Sequence, residues 1–273
     1  MLTRTFVAKM ASPMSTTLAE AATTGTSASR PVSNRPSVTM NTGRPRLCSQ
    51  KWMRARRVVE AAGYKVEIVG QKGFNGVALL SRHPVEITAR ALPDPGTDEQ
   101  ARYIEGKVQT PKGPLTVGGL YLPNGNPIHT DKFAYKIAWM DRLAQRARQL
   151  LASEEMFVLG GDYNVCPTDV DVFSPQAFAN DALCQPQSRA ALRTLLNLGL
   201  TDAVRAVHPE GPIYTFWDYQ AGAWQKGNGL RIDHLLLSPQ AADRMTAVGI
   251  DKAERGRPEP SDHVPVWCEL DVS

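Results

Sequence analysis

From about Trp52 onward the apolar positions follow two periods. GVALLS (Gly76–Ser81), GKVQT (Gly106–Thr110), GPLTVGGLYL (Gly113–Leu122), MFVLGG (Met156–Gly161), LRIDHLLLS (Leu230–Ser238) and VPVWCEL (Val264–Leu270) are short apolar or alternating runs bounded by turn residues. Such runs predict strands. KFAYKIAWMDRLAQRARQLLAS (Lys132–Ser153) has helical spacing instead, with Phe133, Ile137, Met140, Leu143 and Ala144 on one stripe. SRAALRTLLNLG predicts a second helix closed by Gly199, and RARRVVEAAGYKVEIVG a helix ending at Gly63 and then a strand. No repeat and no Gly/Ser linker interrupts this region. The irregular alternation of strands and helices predicts one α/β domain with extensive sheet.

The first fifty residues follow neither period. They hold sixteen Ser/Thr, six basic residues and one acid. Such a segment buries too little apolar surface to offset its ordering entropy. It reads as a disordered or non-homologous stretch over residues 1–52, ahead of a domain over 53–273. An Arg- and Ser-rich, acid-poor composition also fits an organellar transit peptide.

The segment also changes how charge is read. The whole chain of 273 residues carries a formal +4, but the first fifty hold a surplus of five positive charges, leaving −1 for the rest. Overall charge is therefore no argument for a nucleic-acid surface, and any basic groove must come from local placement. Cys48, Cys166, Cys184 and Cys268 are scattered without a CxxC pair, as expected of reduced thiols rather than a disulfide frame or a zinc site. No apolar stretch approaches the roughly 20 residues needed to span a bilayer.

Three junctions carry candidate chemistry. Asp162 and Asn164 follow the MFVLGG strand at i and i+2, so an extended backbone would place carboxylate and amide side by side. The simpler alternative is a turn, since Gly, Asp and Asn form turns readily. In LRIDHLLLS, strict alternation puts Arg231 and Asp233 on one face and Ile232 and His234 on the other. A carboxylate in so apolar a run needs a partner, and the structural alternative is an ion pair with Arg231. Asp262 and His263 form the third junction, before the terminal strand. An acid-oriented imidazole can donate to a phosphate oxygen while another carboxylate activates water, and an oxygen-held divalent cation would offset the phosphate charge. Tyr121 and Asn124 sit in a turn after a strand, and YTFWDYQAGAW gathers five aromatics that could receive a sugar or a base.

In order, GQKGFNGVALLS, LYLPNGNP, GGDYNV, TFWDY, GLRIDHLLLS and PSDHVPV resemble the exonuclease III family of abasic-site endonucleases, within the endonuclease/exonuclease/phosphatase superfamily. The resemblance runs from about Ala61 to the C-terminus and implies a four-layer α/β/β/α sandwich of two mixed β-sheets. It implies Mg²⁺- (or Mn²⁺-) dependent hydrolysis of duplex DNA 5′ to abasic sites, with 3′→5′ exonuclease and 3′-end cleaning. A monomer acting on DNA in a bacterial cytoplasm, without a membrane, is the matching expectation. By motif, Asp162 would activate water, Asn164 would hold the phosphate, Asp233 would pair with His263, and Tyr121 would sit near the leaving group. The metal would fall to Asp162, Asn164, Asp262 and His263. Lys72, Asn75, Arg102 and Asn124 would contact DNA, and Phe216, Trp217 and Leu230 would line the pocket for the flipped sugar. The same fold acting on a phospholipid or inositol phosphate, and a catalytically degenerate DNA-binding or truncated product, are the competing readings.

The resemblance implies two further motifs that this chain lacks. One is a first strand ending in Trp-Asn. The other is a strand followed by Gln-Glu-Thr-Lys, whose Glu is a principal metal ligand. The nearest match, LCSQK (Leu47–Lys51), keeps Gln50 and Lys51 with no acid between them. The expectation is that the first fifty-odd residues come from an out-of-frame or wrongly started reading of the gene. Lost strands would leave unpaired edges and a lost ligand would weaken the metal site, so little activity is expected of the chain as written.

Overall fold

The structure, a computed structural model, describes residues 5–11, 37–42, 56–72, 75–94, 96 and 98–273. Its strands form two six-stranded sheets. The first takes β1 (Thr5–Ala11), β2 (Ser37–Thr42), β3 (Lys65–Gly70), β4 (Gly76–Ser81), β11 (Met245–Ile250) and β12 (Val266–Asp271), in the order β11-β12-β1-β2-β4-β3. The second takes β5 (Glu86–Ala89), β6 (Tyr103–Thr110), β7 (Gly113–Tyr121), β8 (Met156–Asp162), β9 (Thr201–Asp202) and β10 (Asp233–Leu237), in the order β5-β6-β7-β8-β10-β9. Each sheet has one parallel pair, β1 with β2 and β7 with β8, among antiparallel neighbours, so both are mixed as expected.

Val77, Leu79, Val266, Cys268 and Leu270 of the first sheet share a buried cluster with Ile104, Val117, Val158, Leu235 and Leu237 of the second. The sheets therefore pack face to face through the inward half of each alternating strand. On the outer side of the second sheet, Tyr103, Leu120, Phe157, Leu159 and Leu236 bury against α1 (Asp131–Leu151) and α2 (Pro186–Asn197). That accounts for three of the four expected layers, and the helix expected to end at Gly63 is present over residues 56–61, directly before β3 of the first sheet.

The buried face of α1 is Lys136, Trp139, Met140, Leu143, Ala144, Ala147 and Leu150. The expected stripe is right in its second half, but Phe133 and Ile137 are only half-buried and Lys136 takes the inward place near the helix start. Among the described residues no helix is long and apolar enough to cross a membrane.

The N-terminal segment departs from its expectation. Composition predicts no packed structure over residues 1–52, yet β1 and β2 come from it and stand between β12 and β4. The two edges that lost family strands would leave bare are paired. TFVAKMA and SVTMNT carry Phe, Val, Met and Thr, which suit a pleated surface. A strand between two others also gains ladder hydrogen bonds on both sides, which mean composition over fifty residues does not register. The expected domain start at residue 53 and LCSQK remain outside the described residues.

Candidate active site

Parallel β7 and β8 end at the same edge of their sheet, and antiparallel β10 begins there. Register pairs Tyr121 with Asp162, and Asp162 with Asp233. Three expected residues thus become neighbours through strand pairing alone. Gly161 permits it: a Cβ there would lie 1.9 Å from the Leu120 carbonyl oxygen, so only glycine lets β8 lie against β7 one residue before Asp162.

Asp162 and Asn164 meet, but not by extended alternation. Asn164 adopts a left-handed backbone, φ 47°. Its N–H donates to Asp162 Oδ1 at 2.8 Å and its Nδ2 donates to Asp162 Oδ2 at 3.1 Å. The turn reading and the functional reading are therefore both met, since an Asx-type turn is what brings the amide onto the carboxylate. Asn164 Nδ2 also donates to the Leu122 carbonyl at 2.9 Å, while Asn124 Nδ2 donates to Asn164 Oδ1 at 3.2 Å. Both amide hydrogens of Asn164 are engaged within the site. To hold a phosphate, as expected of it, Asn164 would have to release one of them.

His263 enters from the loop before β12 in the opposite sheet. Its Nδ1 lies 2.9 Å from Asp233 Oδ2, and its Nε2 faces Asp162 Oδ2 at 4.0 Å. A carboxylate only accepts, so Nδ1 carries the proton. Burial alone would lower the imidazole's pKa, but Asp233, then Asp162 and Asp262, outweigh it and raise His263 to about 10. Asp162 is displaced the other way for a carboxylate. Burial pushes its pKa well above the ordinary range, and the imidazolium and Lys136 only partly offset burial and the Asp233 charge. Asp162, Asp233 and Asp262 outnumber the two nearby cations, the His263 imidazolium and the Lys136 ammonium, which leaves surplus negative charge.

Asp233 does not pair with Arg231. β10 begins only at Asp233, so the expected alternation fails before it. Arg231 Nε donates to Asp171 Oδ1 at 2.6 Å, and Nη1 donates to Asp202 Oδ2 at 2.7 Å and approaches His234 Nδ1 at 3.0 Å. His234 Nε2 lies 2.9 Å from the Val165 carbonyl, which can only accept. His234 thus carries its proton on Nε2, accepts from Arg231 at Nδ1, and has a lowered pKa from burial and then from Arg231. The Asp233 backbone N–H instead donates to Thr215 Oγ1 at 3.2 Å.

The aromatic segment is stitched beside the imidazole. Phe216 exchanges backbone hydrogen bonds with Leu230, Trp217 N donates to the Asp262 carbonyl at 2.8 Å, and the Phe216 ring lies 4.9 Å from the His263 ring. Phe216 is half-buried, whereas Trp217 and Leu230 are buried. The Nε1 of Trp217 has no hydrogen-bond partner among the described residues.

The expected DNA contacts separate. Lys72 is exposed, two residues beyond β3. Asn75 Nδ2 and Arg102 Nε both donate to Gln100 Oε1, and Arg102 Nη1 donates to the Tyr121 carbonyl at 3.0 Å with its guanidinium over the Tyr121 ring. Arg102 is therefore a structural partner of Tyr121, and Asn75, which is buried, is joined to it only through Gln100. Sequence reasoning missed Gln100 and Lys136. For Lys136 the available signal was a cation on an otherwise apolar helical stripe.

The donor chemistry fits a hard divalent cation, since carboxylate and amide oxygens face a site with surplus negative charge. The ligand number is short. Among the described residues no three His, Cys, Asp or Glu side chains gather into a metal-holding group, and neither β1 nor β2 contributes an acid.

The endonuclease/exonuclease/phosphatase family model matches residues 23–263 and begins inside the segment of unusual composition. Exodeoxyribonuclease III of Haemophilus influenzae is 33% identical over 221 residues, 78% of this chain and 83% of that protein. An AP endonuclease from Archaeoglobus fulgidus superposes with TM-score 0.83 at 28% identity, covering 98% of this chain and all of that one (100%). A Neisseria 3′ phosphatase solved with a product DNA hairpin gives TM-score 0.81 at 30% identity, covering 97% and 99% of the two chains. By the family model and the 33% identical relative, the chain belongs to the exonuclease III family of the endonuclease/exonuclease/phosphatase superfamily.

Proposed function

We propose that the chain is a DNA repair nuclease that hydrolyses phosphodiesters of duplex DNA, at abasic sites and at 3′ ends. The observation that carries this reading is Asp162, Asp233 and His263 meeting at one sheet edge, beside the half-buried ring of Phe216. A water molecule attacks phosphorus and the 3′-oxygen leaves. Asp162 accepts the water's proton, which its raised pKa favours at neutral pH. His263, held as imidazolium by Asp233, donates from Nε2 to a non-bridging phosphate oxygen, where charge grows in the transition state. Asn164, itself held by Asn124, fixes the Asp162 carboxylate, and Tyr121 stands beside it toward the leaving oxygen.

A metal ion, proposed as Mg²⁺ with Mn²⁺ as a substitute, would be held by Asp162, Asn164, Asp262 and His263, the last only by giving up its Nε2 proton. When bound it would neutralise phosphate charge and polarise the P–O bond. Phe216 offers the accessible aromatic wall for a flipped sugar, with Trp217 and Leu230 behind it. Lys72, Asn75, Arg102 and Asn124 would meet the DNA backbone. A monomer working in a bacterial cytoplasm is the matching proposal.

A fluorescent duplex with one abasic site, incubated with Mg²⁺ and with EDTA, tests the reading. The expected result is Mg²⁺-dependent incision 5′ to the lesion. Duplex binding without incision at saturating Mg²⁺ would instead leave a DNA-binding module, and cleavage of inositol phosphates alone would move the substrate class.

A further inference from the structure

Lys136 is fully buried, and α1 carries it beneath the site. Its Nζ donates to the Asn164 carbonyl at 2.5 Å and to the Asn124 carbonyl at 3.1 Å. Among the described residues no carboxylate lies within ion-pair distance of it. Taking an ammonium out of water is costly, and two neutral carbonyls return only part of that cost. A purely structural tether at this place needs no charge, since a neutral donor would serve.

The surroundings are built around this side chain. Gly125, in the turn that carries Asn124, has φ +89°, and a Cβ on it would fall 2.6 Å from Lys136 Cδ. The turn therefore rests its glycine on the lysine stem while the ammonium reaches past it to both asparagine carbonyls. Asn164 links Lys136 to Asp162, since the residue whose carbonyl takes the ammonium also donates its N–H to Asp162 Oδ1 at 2.8 Å. Burial lowers Lys136 to about 8, and the Asp162 charge, followed by Asp181, opposes that. Lys136 in turn is one of the groups that draws Asp162 toward its charged form.

We propose that Lys136 is the fixed internal cation of this site. It is a positioning residue that ties the turns bearing Asn124 and Asn164 to α1 and offsets the charge of the buried Asp162 carboxylate. Being buried, it does not touch DNA. The inference rests on the reading of Asp162 and Asn164 as the reacting pair, and it identifies what compensates that carboxylate from below.

A double-mutant cycle on the full chain tests it, using Lys136→Met, Asp162→Asn and the pair, with urea unfolding near pH 7.5. Charge compensation predicts coupling. The loss from Lys136→Met should be roughly tenfold smaller in unfolding constant when Asp162 is already Asn. A loss equal within about twofold in both backgrounds would reduce Lys136 to a tether and overturn the proposal. If Lys136→Met alone does not fold, recovery of folding in the double variant supports the proposal, and failure of the double variant while Asp162→Asn folds overturns it. Because the readout is stability, the outcome stands whether or not the chain cuts DNA, which the abasic-duplex assay decides separately.

Discussion

His263 Nδ1 stands 2.9 Å from Asp233 Oδ2, and this contact decides the protonation of the imidazole. Asp233 is the largest influence raising His263 to about 10, against burial acting the other way. Asp233→Asn removes the charge and keeps the shape. The His263 resonance, followed by heteronuclear NMR, is expected to titrate back toward the ordinary imidazole range. Incision of abasic duplex near pH 7.5 should fall by on the order of 10²-fold, mostly in kcat. A His263 titration unchanged in the variant would show that Asp233 does not hold the proton.

Gly161 and Gly63 both fall outside the range that L side chains prefer, yet they predict different costs. Gly63 has φ +85° and open space around it, so Gly63→Ala should cost about 1 kcal/mol of backbone strain. Gly161→Ala puts a Cβ 1.9 Å from the Leu120 carbonyl and must part β7 from β8, at about 3 kcal/mol or more. Urea unfolding of the two variants checks the order, and equal losses would mean that the strand approach is not tight.

Removal of divalent cations tests the charge balance at Asp162. Asp162, Asp233 and Asp262 outnumber the two nearby cations, His263 and Lys136, before a phosphate arrives, so EDTA is expected to reduce incision by about 10²-fold or more, with recovery on adding Mg²⁺ or Mn²⁺. Binding to abasic duplex should weaken less than incision does. The described residues supply fewer ligands than the family resemblance implies, so recovery should need a high Mg²⁺ concentration. Full incision in EDTA would remove the metal from the mechanism.

These sites differ in how far the sequence announced them. The strands MFVLGG and GPLTVGGLYL were legible from period and turn residues, and with them the edge where Tyr121 and Asp162 meet. The Asp162–Asn164 contact was legible only as proximity, because the left-handed Asn164 backbone that makes it has no signal in a hydrophobic pattern. Arg231 shows the limit of strict alternation. Its place was assigned by extending a strand three residues too far, and its partners Asp171 and Asp202 lie about sixty and thirty residues away in sequence. β1 and β2 were missed for a related reason: their pairing partners, β12 and β4, hold them in place, and neighbours in a sheet are not visible in the composition of one segment.

That Arg231 network carries the last prediction. Asp171 is fully buried and accepts from Arg231 and from Arg205, each at 2.6 Å. Burial would raise its carboxyl, but the two guanidinium groups prevail and hold it at about 2, against 3.8 for the free group. A depressed carboxylate contributes stability that is fully present above the unfolded pKa and is lost as pH falls through the folded one. The contribution, about 2 kcal/mol from the size of the shift, should therefore hold down to about pH 4 and vanish toward pH 2. Asp171→Asn leaves the buried Arg231 and the half-buried Arg205 short of a partner and is expected to cost about 3 kcal/mol at pH 7. The gap between wild type and variant should narrow steadily between pH 4 and pH 2. Urea unfolding across that window measures it, and a gap independent of pH would mean that Asp171 is not held as a carboxylate by Arg231 and Arg205.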